Sequence, residues 1–380
     1  MFALCSRTML IDGSLRERLA VLVDGERIAA VVADDAVPTD IDRQDLGDVV
    51  LAPGLIDVQV NGGGDVLFND VPSVGTIRQI GAAHRAFGTT GFLPTLISDD
   101  LDVIRAGIAA VDAAIEEGVP GVVGIHVEGP FINVARKGIH AAHKIRGLDE
   151  EGLAVLTSLR RGRTLVTLAP EIAGPAMIGR LVAAGVVVSA GHTAGTYCQV
   201  SAGIAAGLSG VTHLFNAMSP LTGRDPGAVG AGLYHDDVWC SLIVDGHHVD
   251  PVTLRLALRC KPADRLMLVT DAMPPTGGRE STFILNGRPI STQDGRLVDE
   301  DGVLAGADLT MLAAVRTAVA TLDVSLPVAL AMASAHPAAF LGLDDRLGRI
   351  APGYQASLIA IGPGDRVEAS WIDGRPVAVT

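Results

Sequence analysis

Short apolar runs recur at intervals through the middle of the chain, and amphipathic patterns lie between most of them. Runs of this length, rich in aliphatic and β-branched residues, are typical of strands buried on both faces. Eight such strands are predicted: Leu55–Val60, Gly91–Ile97, Val122–Val127, Leu165–Ala169, Val186–Ala190, Val211–Phe215, Trp239–Val244 and Leu266–Thr270. Helical periodicity predicts helices between them, among them Val74–Phe87, Leu101–Glu117, Ala176–Ala184 and Pro251–Leu258.

This alternation of strands and helices predicts a barrel. Eight strand–helix units in about 215 residues are what a (β/α)8 barrel requires. A doubly wound parallel sheet is the competing architecture, but it usually has fewer strands and often a glycine-rich dinucleotide turn. The three glycines at 62–64 do not form a GxGxxG motif. We therefore predict an α/β fold with a TIM-like (β/α)8 barrel over residues 53–345.

The two ends of the chain have strand patterns without intervening helices. Four apolar runs are predicted as strands: Leu19–Val23, Ile28–Val32, Ala356–Ile361 and Val367–Ile372. The turn signals Asp24-Gly25 and Asp373-Gly374 adjoin them. We predict that residues 1–52 and 346–380 together form a small β-sandwich domain. A further segment, 280–302, contains the hairpin signals Asn286-Gly287 and Asp294-Gly295, and it predicts a β-hairpin over the barrel mouth.

Polar side chains follow most of the predicted barrel strands. They are Gln59, Asn61, Thr95, Glu128, Glu171, His192, His213, Asn216, Asp245, His247, His248 and Asp271. In a barrel, the carboxyl ends of the strands meet at one mouth, where the active sites of such enzymes lie. Because unpaired buried polar groups are costly, their joint placement predicts a catalytic site at this mouth.

Three of these side chains suit a divalent metal. Glu128, His192 and His213 offer a carboxylate and two imidazoles, and three protein ligands leave room for water, as in catalytic zinc sites. Asp271 would lie beside that water as general base. Each residue taken alone has a structural alternative: an ion pair for Glu128, a helix cap for His192 and a satisfied core histidine for His213. His126 lies one layer deeper than Glu128 and is interpreted as a packing residue or as a residue that supports the ligands from behind.

Composition limits the partners and the compartment. The formal net charge is −14, so nucleic-acid binding and general attraction to anionic membranes are not expected. An anionic substrate would need a few placed cations. The four cysteines form no CxxC pair and the N-terminus has no signal-peptide pattern. These features predict reduced, mostly buried thiols and a cytoplasmic protein.

Several motifs together resemble one family of enzymes. They are PGLIDVQVNGGG, GTTGFLPTLI, HVEGPFINVARKGIHAAH, SAGHT, THLFNAMSPLTGRDPG, DGHHVDP, LVTDAMPPTG and GVLAGADLTM. The sequence is similar over nearly its whole length to the N-acetylglucosamine-6-phosphate deacetylases of the amidohydrolase superfamily. The resemblance implies hydrolysis of the acetamide of N-acetylglucosamine 6-phosphate to glucosamine 6-phosphate and acetate.

The resemblance also implies a one-metal site. Superfamily members often have an HxH motif at the end of the first strand for a second metal, whereas this chain has Gln59-Val60-Asn61. Amides are poorer donors to transition metals than imidazoles, so Gln59 and Asn61 would occupy a vacated second-metal position. One divalent metal is expected per subunit, with zinc as first choice and ferrous iron as the alternative. Asp271 would act as general base and acid.

The family further implies the contacts to the substrate. His140 would stabilise the oxyanion, and Arg224 and His248 would bind the phosphate. Other expected contacts with the substrate come from Ile139, Asn216, Ala217, Leu304, Ala305 and Gly306. In relatives, part of the phosphate grip comes from a neighbouring subunit, so a homodimer is expected.

Two rival functions are weighed against this one. A different amidohydrolase, acting on a cyclic amide or another N-acyl substrate, would share the barrel and the metal but would not need Arg224 and His248. A non-enzymatic sugar-phosphate sensor would tolerate the loss of Asp271 or a metal ligand. All of these residues are present in this chain.

Overall fold

A parallel barrel forms the centre of the molecule. The computed structural model describes residues 1–364 and 366–378. The eight strands pair in chain order, and each pairs with the next in parallel. Their bounds are Leu55–Val60, Thr89–Leu96, Gly124–Glu128, Arg163–Leu168, Val187–Ala190, Gly210–Val211, Trp239–Ile243 and Leu266–Val269. The prediction of a (β/α)8 barrel is therefore confirmed.

The first and last strands complete the ring through fewer contacts than the others. Val60 forms a parallel bridge with Ala272, and the Asp271 backbone N–H donates to the Gln59 carbonyl over 3.1 Å. Below this contact the buried Asp57 carboxyl accepts a hydrogen bond of 2.5 Å from Thr270 Oγ1. Burial raises the pKa of Asp57 to about 7. The near-closed seam therefore lies directly beneath the residues predicted to form the active site.

Helices cover the outside of the barrel. They are Val74–Arg85, Leu101–Glu116, Glu150–Leu156, Pro170–Ala183, Tyr197–Ala205, Gly227–Tyr234, Pro251–Cys260, Met311–Thr321, Leu326–Met332 and Ala335–Phe340. The second shows why they form, because Leu101, Ile104, Ile108 and Val111 recur at helical spacing and all face the core. The predicted helix Ala176–Ala184 begins earlier, at Pro170, with a break at Gly174. The described part of the chain also contains four short 3-10 turns, Asp34–Ala36, Val134–Arg136, Ala142–Lys144 and Ala263–Arg265.

A second sheet combines strands from both ends of the chain. In spatial order its strands are Arg375–Val377, Arg366–Ile372, Leu358–Gly362, Val50–Pro53, Phe2–Ile11, Ser14–Asp24 and Arg27–Ala33, with Asp42–Asp45 also paired to Phe2–Ile11. Its alternating side chains pack into their own core, which includes Leu4, Met9, Leu358 and Trp371. The prediction of a small β domain built from both termini is confirmed, while its boundaries at 52 and 346 remain a prediction.

The segment after the eighth strand forms a three-stranded excursion, Thr282–Leu285, Arg288–Gln293 and Arg296–Val298. The two turns lie at Asn286-Gly287 and Asp294-Gly295, as the sequence predicts. Leu285, Ile290 and Leu297 form one apolar cluster with residues of the barrel mouth. Asn286 Nδ2 donates to the Ile139 carbonyl over 3.3 Å. The excursion therefore packs beside the mouth. A two-stranded ribbon, Gly62–Gly63 with Val66–Leu67, follows the first barrel strand.

Two further details differ from the sequence analysis. The sixth strand is only Gly210–Val211, so His213 lies beyond it and not within it. Cys5 and Cys240 are buried free thiols, but Cys198 and Cys260 are exposed, so the prediction of mostly buried cysteines is wrong for half of them. Among the described residues, no helix has both the length and the apolar character needed to cross a bilayer.

Candidate metal centre and active site

Three side chains from different strands converge at the barrel mouth. Glu128 Oε1 lies 2.9 Å from His213 Nε2 and 3.2 Å from His192 Nε2. The two imidazole nitrogens are 3.2 Å apart, and all three residues are buried. The structure therefore brings together the three residues that the sequence predicted as metal ligands.

Local backbone geometry places these side chains. Glu128 is the last residue of the third strand, whereas the other two follow their strands at positive φ, 47° for His192 and 34° for His213. Asp271, after the eighth strand, has φ 54°. Positive φ is uncommon for residues other than glycine and it often marks a functional site. Here it turns each side chain out of the strand direction and into the mouth.

The electrostatics keep Glu128 ionised. Burial alone would raise the pKa of Glu128, but the hydrogen bonds and charges of His192 and His213 outweigh burial and hold this pKa well below its usual value. Burial lowers the pKa of His213, but the hydrogen bond and charge of Glu128 raise it more. The negative charge of Glu128 is therefore held next to the two imidazoles.

This donor set fits a single divalent metal. Ligands about 2.0–2.1 Å from a tetrahedral zinc lie about 3.3 Å from one another, close to the separations between Glu128, His192 and His213. His192 Nδ1 is 3.0 Å from the Arg136 carbonyl oxygen. It must donate there, which leaves the Nε2 lone pair free for a metal. His213 Nδ1 is buried and has no hydrogen-bond partner among residues 1–364 and 366–378.

His140 lies next to these three residues, but the ring nitrogen that faces them carries a proton. Its donor atom and those of Glu128 and His192 lie within 4.8 Å of one another. However, the Ser98 backbone N–H can only donate, and it points at His140 Nδ1 over 3.3 Å. Nδ1 is therefore the acceptor and Nε2 carries the proton. Burial lowers the pKa of His140 to about 3, so this neutral ring presents an N–H donor and not a ligand lone pair.

Asp271 is held by the two amides of the first strand. Its Oδ1 accepts hydrogen bonds from Asn61 Nδ2 at 2.7 Å and Gln59 Nε2 at 3.0 Å. Gln59 Nε2 is also 3.1 Å from Glu128 Oε1. Burial, followed by the charge of Glu128, raises the pKa of Asp271 to about 6. Gln59 and Asn61 therefore act here as donors to two carboxylates, which suits the prediction that they do not ligate a metal.

A cavity of about 470 Å³ opens above these groups. Its lining contains most of the residues predicted to contact substrate: Ile139, His140, Asn216, Ala217, His248, Leu304 and Gly306. Ala305 is fully buried in the apolar cluster of the excursion and does not line it. Arg224 lies on an exposed loop and is not part of the lining either. Of the two side chains predicted to bind the phosphate, His248 lines the cavity of its own chain and Arg224 does not.

Asp245 fixes the orientation of His248. Its Oδ2 lies 2.6 Å from His248 Nδ1, and its Oδ1 accepts the backbone N–H groups of His247 and His248 over 2.8 and 2.9 Å. Burial would raise the pKa of Asp245, but these bonds to His248 lower it to about 2. The imidazole is thereby locked with Nε2 as its free atom. His247 itself is exposed.

Several contributors to the site were not found from the sequence. They are Ser98, which orients His140, and the Arg136 carbonyl, which orients His192. Backbone carbonyls carry no sequence signal, and Ser98 lies beyond the predicted second strand. His126 lies deeper, with Nε2 2.8 Å from Thr167 Oγ1, and burial lowers its pKa to about 4. The interpretation of His126 as a packing residue is consistent with these contacts.

Known proteins resemble the chain over nearly its whole length. A model of the amidohydrolase family matches residues 50–377. An N-acetylgalactosamine-6-phosphate deacetylase of Shewanella sp. strain ANA-3 is 41% identical, covering 96% of this chain and 93% of the relative. An N-acetylglucosamine-6-phosphate deacetylase of Haemophilus influenzae is 34% identical, covering 94% of each. The crystal structure of N-acetylglucosamine-6-phosphate deacetylase from Pasteurella multocida has a TM-score of 0.96 at 33% identity and 99% coverage of both chains.

A second solved structure is also similar. It is a mutant of N-acetyl-D-glucosamine-6-phosphate deacetylase from Mycobacterium smegmatis in complex with N-acetyl-D-glucosamine 6-phosphate, with a TM-score of 0.90 and 32% identity, covering 99% of this chain and 98% of that one. The family model covers most of the chain, and these relatives match it over nearly its full length. The chain therefore belongs to the amidohydrolase family and is a hydrolase.

Proposed function

We propose that the protein hydrolyses the acetamide of N-acetylglucosamine 6-phosphate, releasing glucosamine 6-phosphate and acetate. The observation that carries this proposal is the convergence of Glu128, His192 and His213 beside Asp271, within the cavity lined by His140 and His248. Relatives with the same full-length match have names that state this reaction. The proposal extends their chemistry to this chain.

The protein side chains would divide the reaction between them. We propose zinc as the single divalent metal, held by Glu128, His192 and His213, with ferrous iron as the alternative donor match. When bound, such a metal polarises water and the acetamide carbonyl. Asp271, whose pKa is raised to about 6, removes a proton from water and returns it to the departing amine. A pKa near the working pH suits a group that must do both.

His140 would stabilise the negative charge that develops on the carbonyl oxygen. Its Nε2 proton is fixed by the bond from Ser98 to Nδ1, so it is aimed before the substrate arrives. A preorganised donor of this kind contributes about 10²–10³ in rate. His140→Ala should therefore lower kcat by about that factor while zinc content stays at the wild-type level.

Phosphate recognition would distinguish this enzyme from other amidohydrolases. The acidic chain needs specifically placed groups to bind an anionic substrate, and His248, oriented by Asp245, presents its imidazole to the cavity. The test is acetate release from N-acetylglucosamine 6-phosphate compared with N-acetylglucosamine at equal concentration. We expect kcat/KM to be far higher for the phosphorylated sugar. Equal values, or no acetate from either, would refute it.

We propose that the protein is a homodimer and that Arg224 reaches the partner's cavity. In one chain Arg224 is exposed and lies outside the cavity lining. Two neighbouring helices, Gly227–Tyr234 and Pro251–Cys260, have apolar side chains that face outward. These are Tyr234, Val252 and Leu256, and all three are exposed. An exposed apolar face of this kind is typical of an interface between subunits.

Complementation tests whether Arg224 acts across that interface. Arg224→Ala and Asp271→Asn are each expected to be impaired, at substrate concentrations below the wild-type KM. Mixed dimers would contain one site with an intact Asp271 and an Arg224 from the other subunit, so mixing should restore activity. If the protein is monomeric, or if mixing restores nothing, Arg224 does not act in this way.

A second substrate is favoured by the name of a similar relative. The Shewanella protein, 41% identical over 368 residues, is an N-acetylgalactosamine-6-phosphate deacetylase. The two sugars differ only in the orientation of the C4 hydroxyl group, and the reacting acetamide is the same. Initial rates on both sugar phosphates decide between them, and a higher kcat/KM on the galactose epimer would favour this second function.

A further inference from the structure

Glu171 lies in the first turn of the helix that follows the fourth strand, and its carboxylate contacts residues from two other loops. Oε1 accepts hydrogen bonds from Asn133 Nδ2 at 2.9 Å and from the Ala194 backbone N–H at 2.8 Å. Oε2 accepts a bond of 2.5 Å from Thr193 Oγ1. All three donors are uncharged. One carboxylate therefore ties the loop after the third strand to the loop after the fifth strand, close to His192.

The contact with Asn133 leads to the ring of His192. The Asn133 side-chain oxygen accepts the Ala135 N–H over 2.9 Å and so caps the short turn Val134–Arg136. The last residue of this turn is Arg136, and its carbonyl oxygen accepts a hydrogen bond of 3.0 Å from His192 Nδ1. The Asn133 backbone N–H also donates to the His192 carbonyl over 2.9 Å. Glu171 thus holds the residue that fixes both the backbone and the ring of His192.

The contacts with Thr193 and Ala194 hold the chain on the other side of His192. The Thr193 N–H donates to the Ala217 carbonyl, and the Ser219 N–H donates to the Thr193 carbonyl. These bonds connect Thr193 to the loop whose Ala217 lines the cavity. A Cβ on Gly195 would lie 2.8 Å from Glu171 Oε2. The carboxylate is therefore enclosed by the segment that directly follows His192.

His192 needs such support because its backbone is strained. Its φ of 47° lies in the left-handed region, which side chains other than glycine rarely adopt without help from their surroundings. Without Glu171, the loops on both sides of His192 would lose three hydrogen bonds at once. The strained residue could then relax, and its Nε2 would leave the position 3.2 Å from Glu128 Oε1.

We propose that Glu171 is a positioning residue for the metal centre: its carboxylate holds His192 in the geometry that ligates the metal. This inference rests on the metal site of the proposed function. Groups that orient a metal ligand from outside its coordination shell typically contribute 10–100-fold to metal affinity. Glu171 does so through Asn133 on one side of His192 and through Thr193 and Ala194 on the other.

Zinc affinity tests this role without reference to the substrate. Apoenzyme is titrated with zinc against a chromophoric chelator, for wild type, Glu171→Ala, Glu171→Gln and Asn133→Ala. Glu171→Ala is expected to bind zinc about 10–100-fold more weakly. Asn133→Ala should weaken binding in the same direction, because it removes the same link to the turn before His192. Thermal unfolding of each apoenzyme shows whether the variant is folded.

Two variants serve as references. Glu171→Gln should bind zinc more tightly than Glu171→Ala, because its amide oxygen still accepts the bonds from Asn133 and Ala194. Glu150→Ala removes a carboxylate from an exposed pair with Arg180 and should leave zinc affinity unchanged. A loss of fold alone would lower thermal stability without this order of affinities.

The outcomes separate this inference from the proposed function. If wild-type protein binds no zinc or ferrous iron, the proposed metal site itself fails. If wild type binds zinc and both Glu171→Ala and folded Asn133→Ala bind it equally tightly, the positioning role of Glu171 is wrong. Equal affinities of Glu171→Gln and Glu171→Ala, both well below wild type, would also contradict the hydrogen-bond argument.

Discussion

Replacing Asp271 with asparagine should make the apoenzyme more stable while it removes catalysis. Asp271→Asn keeps the shape of the side chain, and the amide oxygen can still accept hydrogen bonds from Gln59 and Asn61. What it loses is the carboxylate, which is the proposed proton acceptor. It also loses a negative charge that lies beside Glu128 and is largely removed from water.

The size of the stability gain follows from the pKa of Asp271. Folding raises it from 3.8 to about 6, and a shift of this size corresponds to about 3 kcal/mol. The sign is that of an acid with a raised folded pKa: the cost is absent below pH 3.8 and fully present above pH 6. Because part of the side chain faces the cavity, we expect Asp271→Asn to gain about 1–2 kcal/mol at pH 8.

The loss of activity should be larger than this gain. A positioned general base contributes about 10²–10⁴ in rate, so kcat should fall by that factor. In the wild type, kcat/KM should decrease as the pH falls through the pKa of Asp271. That pKa is about 6 without metal, and a bound cation lowers it further. This acidic limb should disappear in the variant.

The assays are urea unfolding of metal-free protein at pH 8 and acetate release by the metal-loaded protein. Asp40→Asn, at an exposed position, is the matched control and should change neither. A variant that keeps wild-type kcat would refute the role of Asp271 as general base. A variant that loses 2 kcal/mol or more of stability would refute the argument from its buried charge.

Three further changes test other parts of the structure. Asp245→Asn should raise KM for the phosphorylated sugar about 10-fold, with kcat within threefold, because His248 loses a charged hydrogen-bond partner; an unchanged KM would contradict this. Burial lowers the pKa of His84 to about 4, so the unfolded state binds the proton more readily and wild type should lose about 3 kcal/mol of stability from pH 6.5 to 4. In urea titrations His84→Gln should lack this part of the pH dependence, and equal slopes would count against it. Gly62→Ala should cost about 1–3 kcal/mol, since a Cβ there would lie 2.5 Å from the Val66 carbonyl oxygen, whereas Gly223→Ala, with nothing within 4 Å, should be near neutral in the same titrations.

The barrel could be predicted from the sequence because its strands are apolar runs bounded by glycine, proline and polar residues. The first strand, Leu55–Val60, has the predicted bounds, since a proline and a glycine precede it and Asn61 with three glycines follows it. The sixth strand was the failure. The apolar run VTHLF predicted a strand through Phe215, but the backbone turns at His213, whose N–H donates to Ser241 Oγ over 2.7 Å. A contact with the neighbouring strand overrides the local pattern there.

The candidate ligands could be predicted because each lies at the end of a barrel strand or just beyond it, and topology alone brings such positions together. The hydrogen bonds from Gln59 and Asn61 to Asp271 could not be predicted. Asp271 is more than 200 residues away along the chain, and no spacing rule connects it to them. Arg224 is exposed within one chain, so its proposed role depends on a second subunit. Backbone groups such as the Arg136 carbonyl leave no mark on the sequence.

The most direct test of the central claim is a parallel measurement of bound metal and acetate release during chelation. Purified protein should contain one divalent metal per chain. As a chelator removes it, the rate of acetate release from N-acetylglucosamine 6-phosphate should fall in proportion, and added zinc should restore both. Undiminished hydrolysis by protein stripped of metal would contradict the claim that Glu128, His192 and His213 hold a catalytic ion.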